Sequence, residues 1–268
     1  MDARVIAAII AGVFALIAAA IPIWLKGRHP KAIEGSGHFG EFVLKWMDLS
    51  EGARKKLGQS QFIRIGGTRN ALMTLVRSAK NNHSLLAICG YKGDFAMQYY
   101  EENFQNCKAV RRIFSYEAIL SEITVKDVRY ALDGLKMHLD ATAIHGCDGE
   151  VFLIPKGKRI RDLKGGDFDP PFSFGLAILQ DGNNTPKMAV IHWEMDAEPL
   201  KHLIAIEGVI IDEGQKELLD ALVKLHESIA GSDIVLSSKK NSRTIAAACT
   251  ELEKFWKSHG GASEKGKR

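Results

Sequence analysis

Cysteine is scarce in this chain, and no two cysteines stand close together. The sequence contains four, at positions 89, 107, 147 and 249, and none of them form a CxxC pair. Zinc knuckles and disulfide-stapled secreted folds need paired or dense cysteines, so the sequence indicates neither class. We therefore expect reduced structural thiols, no metal site and no cofactor.

A large excess of charge of either sign is also missing. The chain has 36 basic and 32 acidic residues, a formal net charge of +4. The excess lies in the tail from Ser237 onward, which has eight basic and three acidic residues. A nearly neutral domain is a poor match for a nucleic-acid groove, whereas a basic tail suits an anionic surface. We expect no nucleic-acid partner.

One long hydrophobic run occurs near the N-terminus. Residues 5–25 read VIAAIIAGVFALIAAAIPIWL, without a charged side chain. A helix of this length spans about 31 Å, the thickness of a hydrocarbon core. The alternative is a cleavable signal peptide, with AAA at 18–20 as its cleavage site, but the run is too long for that and basic residues follow it at once. The sequence predicts a single-pass transmembrane anchor in residues 1–25, in contact with membrane lipid.

The charges beside the run predict its orientation. Lys26, Arg28 and Lys31 follow it, and only Arg4 precedes it. Basic residues prefer the cytoplasmic side, so we expect the following domain in the cytoplasm at the inner membrane. Small residues recur every four positions in the run, which allows a homodimer or a membrane-protein partner. The abundance of alanine in apolar helices explains the same pattern.

Breakers and periodicity divide the remaining chain into three parts. Residues 26–60 are rich in glycine and polar residues and read as a juxtamembrane linker. Residues 61–230 alternate strand and helix signals: QFIRI, GGTRNALMTLVRSAKNN, SLLAICGY, FAMQYYEENFQN, KAVRRIFSY, a longer helical region and ATAIHG as a short strand. Four more strands, VFLIP, FSFGLAILQ, MAVIHWE and LIAIEGVII, precede the helix DEGQKELLDALVKLHESIA. The order predicts an α/β fold, a mixed β-sheet with helices on both faces.

The last part, residues 231–268, is a basic tail with one amphipathic helix. Within SRTIAAACTELEKFWKSH an apolar stripe recurs at helical spacing: Ile245, Ala248, Cys249, Leu252, Phe255 and Trp256. Such a stripe packs on its own domain, pairs with a partner helix, or lies on a membrane surface. Packing on the chain's own domain is the favoured alternative.

The run from FIRIGGTRNALMTLVRSAKNNHSLLAICGY through AVRRIFSY to LIAIEGVIIDEGQKELLDALVKLHESIA resembles a single phospholipase D-like module over residues 61–230. Enzymes of that family carry HxKxxxxD, in which His attacks phosphorus, Lys neutralises the phosphoryl oxygens and Asp orients its partners. In FSFGLAILQD, Asp181 stands in the Asp position, but Phe174 and Leu176 stand in the His and Lys positions. The resemblance implies the family's fold without its reaction.

Two polar stretches offer other candidate chemistry. HGCDGE contains His145, and IHWEMD contains His192 and Glu194. If their strands are neighbours, the two stretches could line one site, and these three residues are the ones to test for catalysis. The HxE of zinc deaminases also needs PCxxC, which is missing here. The alternative is a pair of polar strand ends.

A glycine turn before the first helix is a candidate anion site. Gly66, Gly67, Thr68 and Arg69 precede that helix, and Arg112 could bring a second guanidinium to the same cleft. Phosphate-loop motifs such as GxGxxG are missing. A glycine turn capped by Thr68, with Arg112 in a strand-edge salt bridge, explains the same residues.

A complete domain that lacks a recognisable catalytic set and follows a membrane helix predicts a membrane-tethered binding or regulatory module, more a binding protein than an enzyme. A divergent membrane-bound phosphodiesterase, of phospholipase or nuclease type, is the alternative. A third possibility is a structural protein that assembles other membrane proteins.

Overall fold

The structure of the chain is a computed structural model, and it describes residues 61–64, 67–88, 93–120, 125–158, 173–194 and 206–261. Within these ranges no helix is both long and apolar enough to cross a membrane. The predicted anchor, residues 1–25, and the predicted linker, residues 26–60, lie outside the described part of the chain.

Strands and helices alternate in the first half, and adjacent strands follow. The strands are β1 (Gln61–Arg64), β2 (Ser84–Ile88), β3 (Ala109–Ser115), β4 (Asp148–Ile154), β5 (Ser173–Gln180), β6 (Pro186–Glu194), β7 (Ile206–Asp212) and β8 (Leu236–Ser237). The helices are α1 (Thr68–Arg77), α2 (Gly93–Asn106), α3 (Tyr116–Leu120), α4 (Val125–His145), α5 (Lys216–Ala230) and α6 (Ser238–Trp256). A 3₁₀ turn, Glu213–Gln215, precedes α5, and a π-helical turn, Lys257–Gly261, follows α6.

The eight strands form one mixed sheet in the order β1-β7-β6-β5-β2-β3-β4-β8. β2, β3 and β4 run parallel to one another. The other neighbouring pairs are antiparallel. The prediction of a mixed α/β fold with a mixed sheet is confirmed.

Helices cover both faces of the sheet. Val151 and Leu153 belong to one apolar cluster with buried residues of α4 and α6. Phe152, between them, contacts His226 of α5 edge-on, with ring centres 6.2 Å apart. Because successive side chains of a strand point to opposite faces, α5 lies on the face opposite to α4 and α6.

The central strand β2 shows why the elements were readable from the sequence. Four of its five residues, Leu85 to Ile88, are buried. A strand covered on both faces carries a continuous apolar run rather than an alternating one. The apolar run SLLAICGY therefore marked a true central strand, which lies between β3 and β5.

The predicted strand ATAIHG is wrong, because these residues form the last turns of α4. Leu135, His138 and Ala141 recur at helical spacing, and all three are buried. Ala141 packs so closely on the start of β4 that a Cβ atom added to Gly149 would lie 2.8 Å from the Cβ of Ala141. Tertiary packing therefore extends the helix through a stretch whose local composition suggested a strand.

The amphipathic stripe of α6 packs on the domain itself. Ile245, Cys249 and Leu252 are buried in the cluster that α4 and β4 also line, and Phe255 and Trp256 are partly buried against it. Of the three arrangements considered for this helix, packing on its own domain is the one observed.

Candidate functional site

The carboxyl edge of the sheet is the first place to look for a site. By this name we mean the ends of β2, β3, β4 and β6 together with the start of β5, which strand direction brings to one side. In open α/β sheets, ligands bind beyond the carboxyl ends of the strands. Phe174 and Leu176, the positions that the predicted phospholipase D-like resemblance assigns to His and Lys, lie on β5 near this edge.

The side chain at the Lys position is apolar and buried. Leu176 pairs with Ile191 of β6 and with Ile88 of β2, and it is only 1% exposed. Phe174 pairs with Trp193. A leucine inside the sheet cannot neutralise phosphoryl oxygens, so the pairing that the family's reaction needs is missing at this strand.

Asp181 has a structural role at the opposite end of β5. Its carboxylate accepts hydrogen bonds from the backbone N–H groups of Asn183 and Thr185 at 2.9 and 3.0 Å, as in an Asx turn. The hydrogen bond from Thr185 is the main cause that lowers the pKa of Asp181. Asp181 therefore closes the β5–β6 turn, away from the carboxyl edge.

Arg112 lies in the middle of β3 and is fully buried. Its Nε donates a hydrogen bond to His138 Nε2 at 2.9 Å. The guanidinium carbon is 4.8 Å from the ring centre of Tyr100 and 5.5 Å from that of Tyr99. Arg112 therefore lies inside the sheet and not at a strand edge as predicted, whereas its neighbour Arg111 contacts Glu150, at 3.7 Å.

His138 is held as a neutral acceptor for Arg112. Its Nδ1 lies 2.7 Å from the carbonyl oxygen of Gly134, and this bond places the proton on Nδ1 and leaves Nε2 to accept. Burial, and then the charge of Arg112, lower the pKa of His138 well below its ordinary value. Three aromatic rings contact the imidazole edge-on: Tyr100, Phe104 and Phe114.

His192 stands over a glycine on the neighbouring strand. It pairs with Gly175 of β5, where a Cβ atom would collide with the imidazole ring. Burial, and then the charge of Arg112, lower the pKa of His192 to about 4. His192 is therefore neutral at pH 7, and it belongs to the same electrostatic environment as Arg112.

The structure does not bring His145 to His192. His145 ends α4, where its ring stacks on Phe104 at 5.6 Å, and β4 begins only three residues later. Through β3 and β2, the start of β4 is in register with Gln180 of β5. The β5 residue that pairs with His192 is Gly175, five residues from Gln180. Five strand residues span about 17 Å. HGCDGE and His192 therefore do not line one site, contrary to the expectation.

Glu194, the third residue proposed for testing, ends β6 at the carboxyl edge, opposite Ser173. Among the described residues, no group of three or more His, Cys, Asp or Glu side chains is placed to hold a metal ion.

The predicted anion turn is only partly described, because Gly66 lies outside the described residues. Gly67 occupies the N-cap position of α1, and Thr68 is the first helical residue. No side chain caps this helix, so the predicted Thr68 cap is wrong.

Arg69 and Arg112 lie at opposite ends of one pair of stacked rings, Phe95 and Tyr99. The guanidinium carbon of Arg69 lies 5.4 Å from the ring centre of Phe95. Phe95 stacks on Tyr99 at 5.7 Å, and Tyr99 contacts Arg112. The two arginines predicted to share a cleft are thus connected through a stack, with Arg69 exposed at one end and Arg112 buried at the other.

Sequence reasoning missed the residues that hold Arg112. A signal was present in the strand VRRIF, because Val110, Arg112 and Phe114 alternate and so share a face. Both apolar neighbours are buried, and so is Arg112. Nothing in the local sequence marked His138 as its partner, since 26 residues separate the two.

No family model, curated protein or solved structure matches this chain. Chemically, the described residues provide the buried guanidinium of Arg112 in the middle of β3 and, nearer the carboxyl edge, the neutral imidazole of His192.

Proposed function

We propose that this chain is a membrane-tethered, non-catalytic binding or regulatory module with a phospholipase D-like fold, and that its domain lies on the cytoplasmic side of the inner membrane. The burial of Leu176 carries the proposal. A phosphohistidine mechanism needs a nucleophile and a cation at one point, and an apolar side chain inside the sheet supplies neither.

The surroundings of Arg112 support the same conclusion. The guanidinium is fully buried, hydrogen-bonded to His138 and placed against two tyrosine rings. An arginine fixed in this way stabilises the interior of the domain. Arg69, which is exposed over Phe95, is a cation of this region that is open to solvent.

The test is a phosphodiesterase assay of the purified full chain in detergent. Bis(p-nitrophenyl) phosphate and phosphatidylcholine vesicles serve as substrates. A Leu176→Ala variant, purified in the same way, gives the background rate. We expect equal, background rates for both proteins. Turnover by the native chain that a single side-chain replacement abolishes contradicts the proposal.

One observation favours a second candidate, a divergent phosphodiesterase that uses His192. Its imidazole is neutral at pH 7, the protonation state that a nucleophile or general base needs. In that case His192→Ala abolishes activity, while His145→Ala, remote from the carboxyl edge, leaves it unchanged. The binding module instead predicts the same background rate for both variants.

A further inference from the structure

A groove opens on the face of the sheet that α5 covers. Its volume is about 560 Å³, and it lies between β2, β3 and β4, the end of α5 and the start of α6. We call it the α5–α6 groove. α5 packs on β2, β5, β6 and β7 and ends at Ala230, and α6 begins eight residues later at Ser238. Small-molecule sites have volumes of roughly 300–1,000 Å³, so the groove is large enough for one.

Part of the lining of the groove, formed by Leu86, Phe152 and His226, is apolar with one neutral ring, and we call this part its floor. Leu86 of β2 and Phe152 of β4 supply the apolar surface. His226 of α5 is buried beside Phe152, and its Nε2 lies 3.2 Å from the carbonyl oxygen of Arg111. Burial is the main cause that lowers the pKa of His226 to about 4. The floor therefore carries no charge at pH 7.

Two basic side chains, Arg111 and Lys240, line the groove, and we call them its cationic wall. Arg111 of β3 has 52% of its side chain exposed, and its Nε lies 3.7 Å from Glu150. Glu150 is also held by Lys239 at 3.6 Å and by the Ser237 hydroxyl at 2.8 Å, so its charge is already matched. Lys240 of α6 also lines the groove and is exposed. Within the described ranges its ammonium has no ion-pair or hydrogen-bond partner.

Two acidic side chains, Glu227 and Asp233, also line the groove, and we call them its anionic wall. Glu227, in the last turn of α5, and Asp233, in the loop that follows, both line the groove and are exposed. Neither carboxylate forms an ion pair with any residue that the structure describes. The groove thus presents charges of both signs beside an apolar floor.

We propose that the α5–α6 groove binds a small zwitterion of the amino-acid or short-peptide class. The ligand carboxylate lies between Arg111 and Lys240, its ammonium faces Glu227 and Asp233, and its side chain rests on the apolar floor. A ligand of a single charge would place one wall against a like charge, whereas a zwitterion complements both. This inference is independent of the proposed function, because the groove lies on the face opposite to Arg112.

The test uses isothermal titration of the full chain in detergent with each of the twenty L-amino acids and with the dipeptides Ala-Phe and Ala-Leu. At least one of them is expected to bind. For that ligand, the N-acetyl derivative loses the ammonium and the amide derivative loses the carboxylate. Each derivative should bind about tenfold more weakly, the effect of one charged contact. Absence of binding by all the probes overturns the proposal.

Two groove variants test whether the ligand binds in the α5–α6 groove. Lys240→Gln and Asp233→Asn should each weaken binding about tenfold. Matched controls change exposed charges outside the groove: Lys224→Gln on the outer side of α5 and Glu101→Gln on α2. The controls should keep the native affinity. Equal affinities for the native chain and both groove variants overturn the assignment, and thermal unfolding verifies that all four variants fold.

Discussion

Arg112 and His138 depend on each other inside the domain. An arginine remains charged when buried, so the side chain beside it must accept a hydrogen bond without carrying positive charge. His138 meets both needs. Its Nδ1–H donates a hydrogen bond to the carbonyl oxygen of Gly134, which leaves Nε2 to accept, and its lowered pKa keeps the ring neutral. The pair is therefore an integral part of the core.

Replacing Arg112 with Ala should reduce the free energy of unfolding by about 3–5 kcal/mol, because the change leaves a cavity and removes the donor to His138 Nε2. Urea denaturation measures the loss. Arg111→Ala is the matched control on the adjacent, half-exposed residue and should cost less than about 1 kcal/mol. Equal small losses in the two variants would show that the pair does not stabilise the core.

Gly175 is required because the imidazole of His192 occupies the space of its missing side chain. Gly175→Ala should destabilise the domain by about 1–3 kcal/mol, the usual cost of overpacking. The double variant Gly175→Ala/His192→Ala should recover most of that loss in urea denaturation.

Gly208→Ala is the contrasting control, since a Cβ there meets the backbone carbonyl of Ile191, which no side-chain change removes. His192→Ala should not rescue it. Equal rescue of the two glycine variants would contradict the contact between Gly175 and His192.

The lowered pKa of His226 predicts that the free energy of unfolding of the domain falls in acid. Its folded pKa is about 4, below the ordinary 6.5, so the unfolded chain binds the proton more readily. Stability is therefore complete above about pH 6.5 and falls as the pH drops toward 4, by about 3 kcal/mol for this residue. His226→Gln should reduce that pH dependence in urea denaturations between pH 7.5 and 4.5. Identical pH profiles for the native chain and the variant would refute the prediction.

At the scale of elements, α6 belongs to the core of the domain. Leu252 is fully buried in the cluster formed with α4 and β4. Leu252→Ala should cost about 2–5 kcal/mol in urea denaturation, whereas Thr250→Ala on the exposed side of the helix should cost less than about 1 kcal/mol. If the helix instead worked on a membrane surface, Leu252→Ala would weaken vesicle binding and leave unfolding unchanged.

The sequence predicted most elements because their burial leaves a local pattern. Continuous apolar runs marked β2 and β5, and helical spacing of apolar residues marked α5 and α6. The miss at ATAIHG arose where Ala141 packs against Gly149 at the start of β4, and α4 continues to His145. The two-residue strand β8 was also missed, since a pairing with only Phe152 and Leu153 leaves no periodicity to read.

The candidate site was less predictable than the elements, because it depends on strand order. β2 lies between β3 and β5, so it pairs with a strand that comes about 90 residues later in the chain. No local sequence signal encodes that pairing. That order separates His145 from His192 and brings Arg112 near His192. The alternation around Arg112 carries a local signal for its inward direction, which the prediction of a strand-edge salt bridge overlooked, and it carries no signal for its partner.

At the scale of the whole molecule, we expect the predicted anchor to decide where the domain works. A chain that lacks residues 1–25 should appear in the soluble fraction, while the native chain should resist a carbonate wash, because one apolar helix of this length inserts stably. A chain that lacks residues 262–268 is the matched control. It keeps the anchor and removes three basic residues of the tail, so it should stay in the membrane fraction.

The orientation is tested in intact spheroplasts. The positive residues after the run predict that added protease leaves the domain whole and degrades it only after lysis. If the chain without residues 1–25 still sediments with membranes, the tether lies elsewhere in the protein. If the domain is cleaved in intact spheroplasts, it faces outward, and a cytoplasmic ligand cannot reach the α5–α6 groove.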